Sequence, residues 1–161
     1  MKLKTYINIQ SVFFILVLLI ALSVTLFSTY RLAMKNRVPE CKAIKTSFTM
    51  VGSRRFEKVL LISIVPVGWH KFNVLLNGNI SDGDKKYAIS RMMVADYTFR
   101  DGYYYIKILE NIRHARDSTA DAELNRQLPA KNRVYLMRIE KVSDNSYIFA
   151  DNHAPLFVCS K

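Results

Sequence analysis

Tyr87-Ala88-Ile89-Ser90-Arg91-Met92-Met93-Val94-Ala95-Asp96-Tyr97-Thr98-Phe99, then Arg100-Asp101-Gly102, then Tyr103-Tyr104-Tyr105-Ile106-Lys107-Ile108-Leu109: this stretch decides the fold. Side chains alternate across an extended strand, so Tyr87, Ile89, Arg91, Met93, Ala95, Tyr97 and Phe99 share one face. Ala88, Ser90, Met92, Val94, Asp96 and Thr98 share the other. The first face is the better core candidate, although Arg91 interrupts it. Arg100-Asp101-Gly102 is a tight-turn signal, and the aromatic, β-branched run behind it reads as the returning strand of a long antiparallel hairpin.

Working outward, the same character continues on both sides. Upstream, Ala43 to Val51 sets Ile44, Phe48, Met50 and Val51 among Lys and Thr. Val59-Leu60-Leu61-Ile62-Ser63-Ile64-Val65 reads as a central strand that Pro66 ends. Phe72 to Leu76 leads into Asn77-Gly78-Asn79, a turn signal, and Ser81-Asp82-Gly83-Asp84 is another. Downstream, Asp117-Ser118-Thr119 offers caps for helix-forming residues from Ala120 to Leu128, stopped by Pro129. Few of those positions are apolar, so the segment is a short helix or a mobile loop. Arg133–Val142, Tyr147–Ala150 and Pro155–Cys159 close the chain as strands. Seven or eight strands with one short helix predict a mainly β (α+β) domain. Its antiparallel sheet curls into a barrel or a sandwich.

The amino-terminal part is of another kind. Val12 to Phe27 reads VFFILVLLIALSVTLF, and about 26 residues from Thr5 to Tyr30 carry no charge. That length spans a hydrocarbon core of roughly 30 Å as a helix. A cleaved signal peptide has a shorter apolar core and a small-residue cleavage site. The run here is longer and Thr29-Tyr30-Arg31 has no such pattern, so an uncleaved anchor is the favoured reading. The expected layout is a cytoplasmic segment at 1–11, a transmembrane helix at 12–32, a linker at 33–40 and a β-rich domain at 41–161. Lys2 and Lys4 precede the span while Arg31, Lys35 and Arg37 follow it, so flanking charge leaves its orientation open.

Net charge is +11, but those five residues supply much of it. The remainder holds 19 basic against 13 acidic residues, a net of +6 spread along the chain. No run of Lys and Arg interleaved with aromatics appears, which argues against direct nucleic-acid binding. Cys41 and Cys159 are the two cysteines, and they bracket the whole domain. Neither sits in a C-x-x-C pair or at metal spacing from a histidine. Two readings stand, a disulfide joining first and last segments or two unrelated thiols. A disulfide across so long a loop stabilises by about 4–5 kcal/mol in the chain-entropy treatment and requires an oxidising compartment. With an uncleaved anchor, the disulfide reading places the domain outside the cytoplasm, which in a bacterium means the periplasm.

Catalytic patterning is missing. There is no nucleophile elbow, phosphate loop or H-E-x-x-H, and most acids lie in turns where Asp bonds its own backbone. The expectation is therefore no enzyme, no cofactor and no metal. His70, His114 and His153 are far apart in sequence, and their testable functional reading is proton sensing, since histidine titrates in mildly acidic surroundings. Tyr97, Phe99, Tyr103 and Tyr105, in the densest aromatic group, are candidates for a partner interface or a pocket. A small apolar ligand inside a barrel is the alternative reading of the domain.

A basic amino terminus, one span, a cysteine soon after it, Ile89-Ser90-Arg91 near the middle and the closing Pro155-Leu156-Phe157-Val158-Cys159 together resemble the FidL-like membrane proteins of enteric bacteria. These are similar in layout to the ToxS-type partners of ToxR-like regulators. The resemblance implies a single-pass inner-membrane protein whose periplasmic domain associates with a membrane-anchored winged-helix transcription regulator. The pair would switch on fimbrial or virulence genes. DNA binding would belong to that partner.

Overall fold

A computed structural model describes residues 9–52, 54–119 and 122–161. Lys2 and Lys4, and the Ala120-Asp121 start of the expected helix, lie outside the described residues. The chain divides into two compact units, one up to Arg37 and one from Val38 to Lys161.

The first unit is helix α1, Ile9–Lys35. It extends beyond the expected 12–32 because the residues after the apolar run, Arg31 to Lys35, still favour helix. Pro39 then biases Val38 away from helical geometry. Gln10–Arg31 is long and apolar enough to cross a membrane, as a span or as a signal sequence, and none of it is buried. Its hydroxyls turn inward on the helix. Ser23 donates to the Ile20 carbonyl at 2.8 Å, Thr25 to Leu22 at 2.8 Å and Thr29 to Leu26 at 2.9 Å. Such back-bonding satisfies polar groups where a bilayer offers no water.

The second unit is a closed antiparallel barrel of eight strands in sequence order. They are β1 Cys41–Val51, β2 Arg54–Pro66, β3 Lys71–Asp82, β4 Lys85–Arg100, β5 Tyr103–Arg113, β6 Val134–Ser143, β7 Ser146–Ala150 and β8 Pro155–Ser160. One short helix, α2 Ala122–Arg126, lies between β5 and β6. The alternation of β4 is as expected: Ile89, Arg91, Met93, Ala95 and Tyr97 are buried. With Phe56, Leu60, Ile62, Phe72, Ile80, Ile106, Ile108 and Phe149 they fill the interior, as an eight-stranded barrel allows.

One expected turn is overturned. β3 runs unbroken through Asn77-Gly78-Asn79, with Gly78 opposite Leu60 on β2 and Ile89 on β4. A Cβ on Gly78 would run into the Val59 carbonyl oxygen, so the glycine permits a close approach of two strands rather than a reversal. The reversal comes later, where Gly83 takes φ +58° between β3 and β4.

Closure is uneven around the barrel. β1 and β2 share eleven consecutive register pairs, from Cys41↔Ile64 to Val51↔Arg54. Between β1 and β8, Lys42↔Ser160 is the single register pair. The disulfide Cys41–Cys159 sits beside it, with Cα atoms 5.5 Å apart and a sequence separation of 118. It is a covalent staple across the seam that closes the barrel.

Candidate functional site

Three features of the barrel bear on function: a buried ionic network, an exposed apolar face, and the placement of the expected residues.

The network begins with a β-bulge. Between Val94↔Glu110 and Ala95↔Ile108 the register shifts, leaving Leu109 as the extra residue on β5. The bulge turns the remainder of β5 by one position, so Arg113, rather than Ile112, stands opposite Arg91. Two cations directly across a strand pair repel. Asp117 offsets this. Its Oδ2 accepts from Arg91 Nε at 2.7 Å, and its Oδ1 lies 3.4 Å from Arg113 Nε. The Arg91 and Asp117 side chains are 4% and 0% exposed.

Apart from the Ser90 N–H on β4, the remaining partners of the pair come from the segment joining β5 to β6. Arg91 Nη2 donates to Asn125 Oδ1 at 2.6 Å and to the Thr119 hydroxyl, which in turn donates to Asp117 Oδ1. The Ser90 and Thr119 N–H groups donate to Asp117 at 3.2 and 3.0 Å. Burial pushes the Asp117 carboxyl up, but the hydrogen bonds from Arg91, Thr119 and Ser90 outweigh it. The net position is well below the ordinary carboxylate range. The same segment lies along β4, with Ser118 N–H on the Ala88 carbonyl at 3.0 Å and His114 N–H on the Ser90 carbonyl at 2.9 Å. Leu124 and Leu128 are buried in the core. Gln127 Oε1 accepts from Lys58 Nζ at 3.4 Å, and burial with nearby Lys45 lowers the pKa of that lysine. The described residues between His114 and Leu128 thus form a strap held to the barrel by Arg91 and Asp117.

The short helix expected before Pro129 is present as α2, and Asp117, Ser118 and Thr119 have a further role beside it. Their side chains bind β4 and one another, and α2 is only five residues. The sequence signal of this network is Arg91 itself, a lone Arg on an otherwise apolar strand face.

The exposed face lies on the outside of β1 and β2. Ile44, Phe48 and Met50 are 75%, 55% and 64% exposed, and Val59 and Leu61 alongside are also exposed. Ile44 pairs with Leu61 and Thr46 with Val59, so these side chains form one patch. Arg55 stacks over the Phe48 ring at 4.5 Å. A contiguous apolar patch on an antiparallel sheet that otherwise faces water is a candidate contact surface.

Of the expected residues, Cys41 and Cys159 are joined. Val12 and Phe27 lie within α1 and are exposed. His70, His114 and His153 are exposed at three separate places, a loop, the strap and a turn. The aromatics separate. Tyr97 is 5% exposed, so its candidacy for a partner surface is corrected. Its hydroxyl serves the barrel itself, accepting from Val38 N–H at 3.4 Å and donating to the Trp69 carbonyl at 3.2 Å. Phe99 and Tyr105 are exposed, while Tyr103 borders an open cleft of about 280 Å³ with Arg138, Glu140, Ile148 and His153. Among the described residues no three His, Cys, Asp or Glu side chains come together as metal ligands. No protein-family model matches the chain, and no curated protein matches its sequence.

Proposed function

We propose that this chain is a membrane-anchored accessory regulator. In this reading α1 holds the barrel on the periplasmic side of a bacterial inner membrane. The barrel associates there with the periplasmic part of a membrane-anchored winged-helix transcription regulator. The observation that carries the reading is the apolar patch of Ile44, Phe48, Met50, Val59 and Leu61, next to a β1 edge with one ladder partner in β8. An apolar patch beside a sparsely laddered seam suits a protein partner. The resemblance to FidL-like and ToxS-type proteins supports the choice of partner. Binding the folded form of the regulator would stabilise it by mass action, raising its abundance or relaying a stimulus such as acid.

The test places charge in the patch of the full chain, as Ile44→Glu with Met50→Glu, and follows co-purification of the regulator from membranes together with fimbrial transcription. Both should fall while the barrel keeps its disulfide. Unchanged capture and transcription would sink the proposal. An apolar ligand inside the barrel is less well supported, because Phe56, Ile80, Met93 and Phe149 occupy the interior with essentially no exposure.

A further inference from the structure

We propose that the loop between β2 and β3, Val67-Gly68-Trp69-His70, is a membrane-contacting tip that seats Trp69 and Val67 in the head-group layer of the bilayer crossed by α1. The inference rests on α1 spanning that bilayer.

The loop has an unusual combination of a fixed backbone and outward apolar side chains. Val67 N–H donates to the Lys71 carbonyl at 2.7 Å, closing the reversal, and Gly68 takes φ +81° inside it. The His70 carbonyl accepts from Tyr97 N–H at 2.8 Å, and the Trp69 carbonyl accepts from the Tyr97 hydroxyl at 3.2 Å. The His70 ring packs edge-on against Tyr97 at 5.7 Å. With its backbone pinned at these points, the loop still presents Val67 at 48% and Trp69 at 60% exposure. A rigid loop that holds a large amphipathic ring outward costs little further ordering on contact. Tryptophan favours the membrane–water interface, where its ring meets the apolar boundary and its N–H stays hydrated. Lys71 follows directly and is exposed, and residues 66–72 contain no carboxylate to repel anionic lipid.

Covalent reach supplies the second argument. The Tyr97 hydroxyl that holds Trp69 also accepts from Val38 N–H, so the loop lies one phenolic oxygen from the residue where the barrel unit begins. The apolar window of α1 ends at Arg31 and its helix at Lys35. Four helical rises and three extended residues put Val38 no more than about 16 Å along the chain from the hydrocarbon edge. The head-group layer fills several ångströms of that span, and the indole supplies several more. The chain between the span and Val38 is therefore short enough to let the tip meet lipid.

Trp69 is the single tryptophan of the chain, so its fluorescence reports on this loop alone. The full chain is reconstituted into vesicles of phosphatidylethanolamine and phosphatidylglycerol, with lipids brominated near the head group or deep in the chains. Vesicle flotation checks anchoring separately. The expected result is a blue-shifted emission, loss of most of its intensity to shallow-brominated lipid, weaker loss to deep-brominated lipid, and little quenching by aqueous acrylamide. Val67→Asp should float equally, keep the disulfide, and exchange lipid quenching for acrylamide quenching. A floated chain quenched by acrylamide and not by brominated lipid overturns the tip while leaving the anchor intact. A floated chain shielded from both quenchers also overturns it, since protein then covers the loop. A chain that fails to float overturns the anchor reading, and the tip with it.

Discussion

Cys41 and Cys159 join β1 to β8 where the ladder between those strands has a single pair, whereas Arg91 and Asp117 hold the strap after β5 parts from β4. The two fastenings do similar mechanical work by different physics. The disulfide limits the unfolded chain and is indifferent to burial, charge and pH. The ion pair exists only while the strap is docked, because two of its partners, Thr119 and Asn125, belong to the strap itself. One closure is lost to reductant, the other to a single change of charge. The barrel thus has a seam that is fixed in an oxidising compartment and a strap whose attachment is conditional on a polar network.

The largest break in this comparison is removal of the covalent side. Cys159→Ser opens a closed loop spanning 118 residues and should cost about 4–5 kcal/mol at most, read as a lower midpoint in denaturant. The reduced parent should match the variant. Equal midpoints with and without reductant would mean the strand ladder alone closes the barrel.

Next comes the ionic side. Arg91→Met leaves the fully buried Asp117 carboxylate without its main partner, which costs about 3–5 kcal/mol in comparable sites. Adding Asp117→Leu should recover part of that, because the buried charge is then gone. Amide exchange should rise in residues 114–128 before it rises in β1 to β4. Uniform loss of protection would show the strap and barrel to be one cooperative unit. A smaller effect, about 1–3 kcal/mol, is expected for Gly78→Ala, whose Cβ would press on the β2 backbone near Val59. Its loss should appear in β2 and β3 and leave strap exchange unchanged.

How much of this was legible in the sequence depended on the range of the interaction. The β4–β5 hairpin was readable because strand alternation and the Arg100-Asp101-Gly102 turn are local. The staple was readable because two cysteines bracketing a domain have few other uses. Asn77-Gly78-Asn79 misled because the need for Gly78 lies in an approach of β2, which no local signal encodes. Arg91 stood out as an interruption, but its carboxylate is 26 residues away on an irregular segment. The bulge that aligns Arg113 with it is set by pairing rather than composition. Barrel and sandwich stayed unresolved for the same reason, since closure rests on contacts between the first and last strands.

The smallest effect concerns acid, and the sign can be worked out. Asp117 is held well below the ordinary carboxylate range in the folded chain. A depressed pKa contributes stability that is fully present above the unfolded value of about 3.9 and is lost as pH falls through the folded value. The strap should therefore stay docked from about pH 7 to about pH 5, a range that lies above both values. Denaturant midpoints of the parent should hold across that range and decline only in stronger acid. Asp117→Asn should start lower and decline less steeply. If a mildly acidic stimulus acts on this protein, it must then act elsewhere, and the exposed His70, His114 and His153 are the side chains to test. Replacing all three by Gln should change stability by no more than about 0.5 kcal/mol, as surface substitutions do. The same variant should remove the pH dependence of regulator capture from membranes. Strap exchange that rises between about pH 7 and about pH 5 in the triple variant would place the acid response in the Arg91–Asp117 network after all.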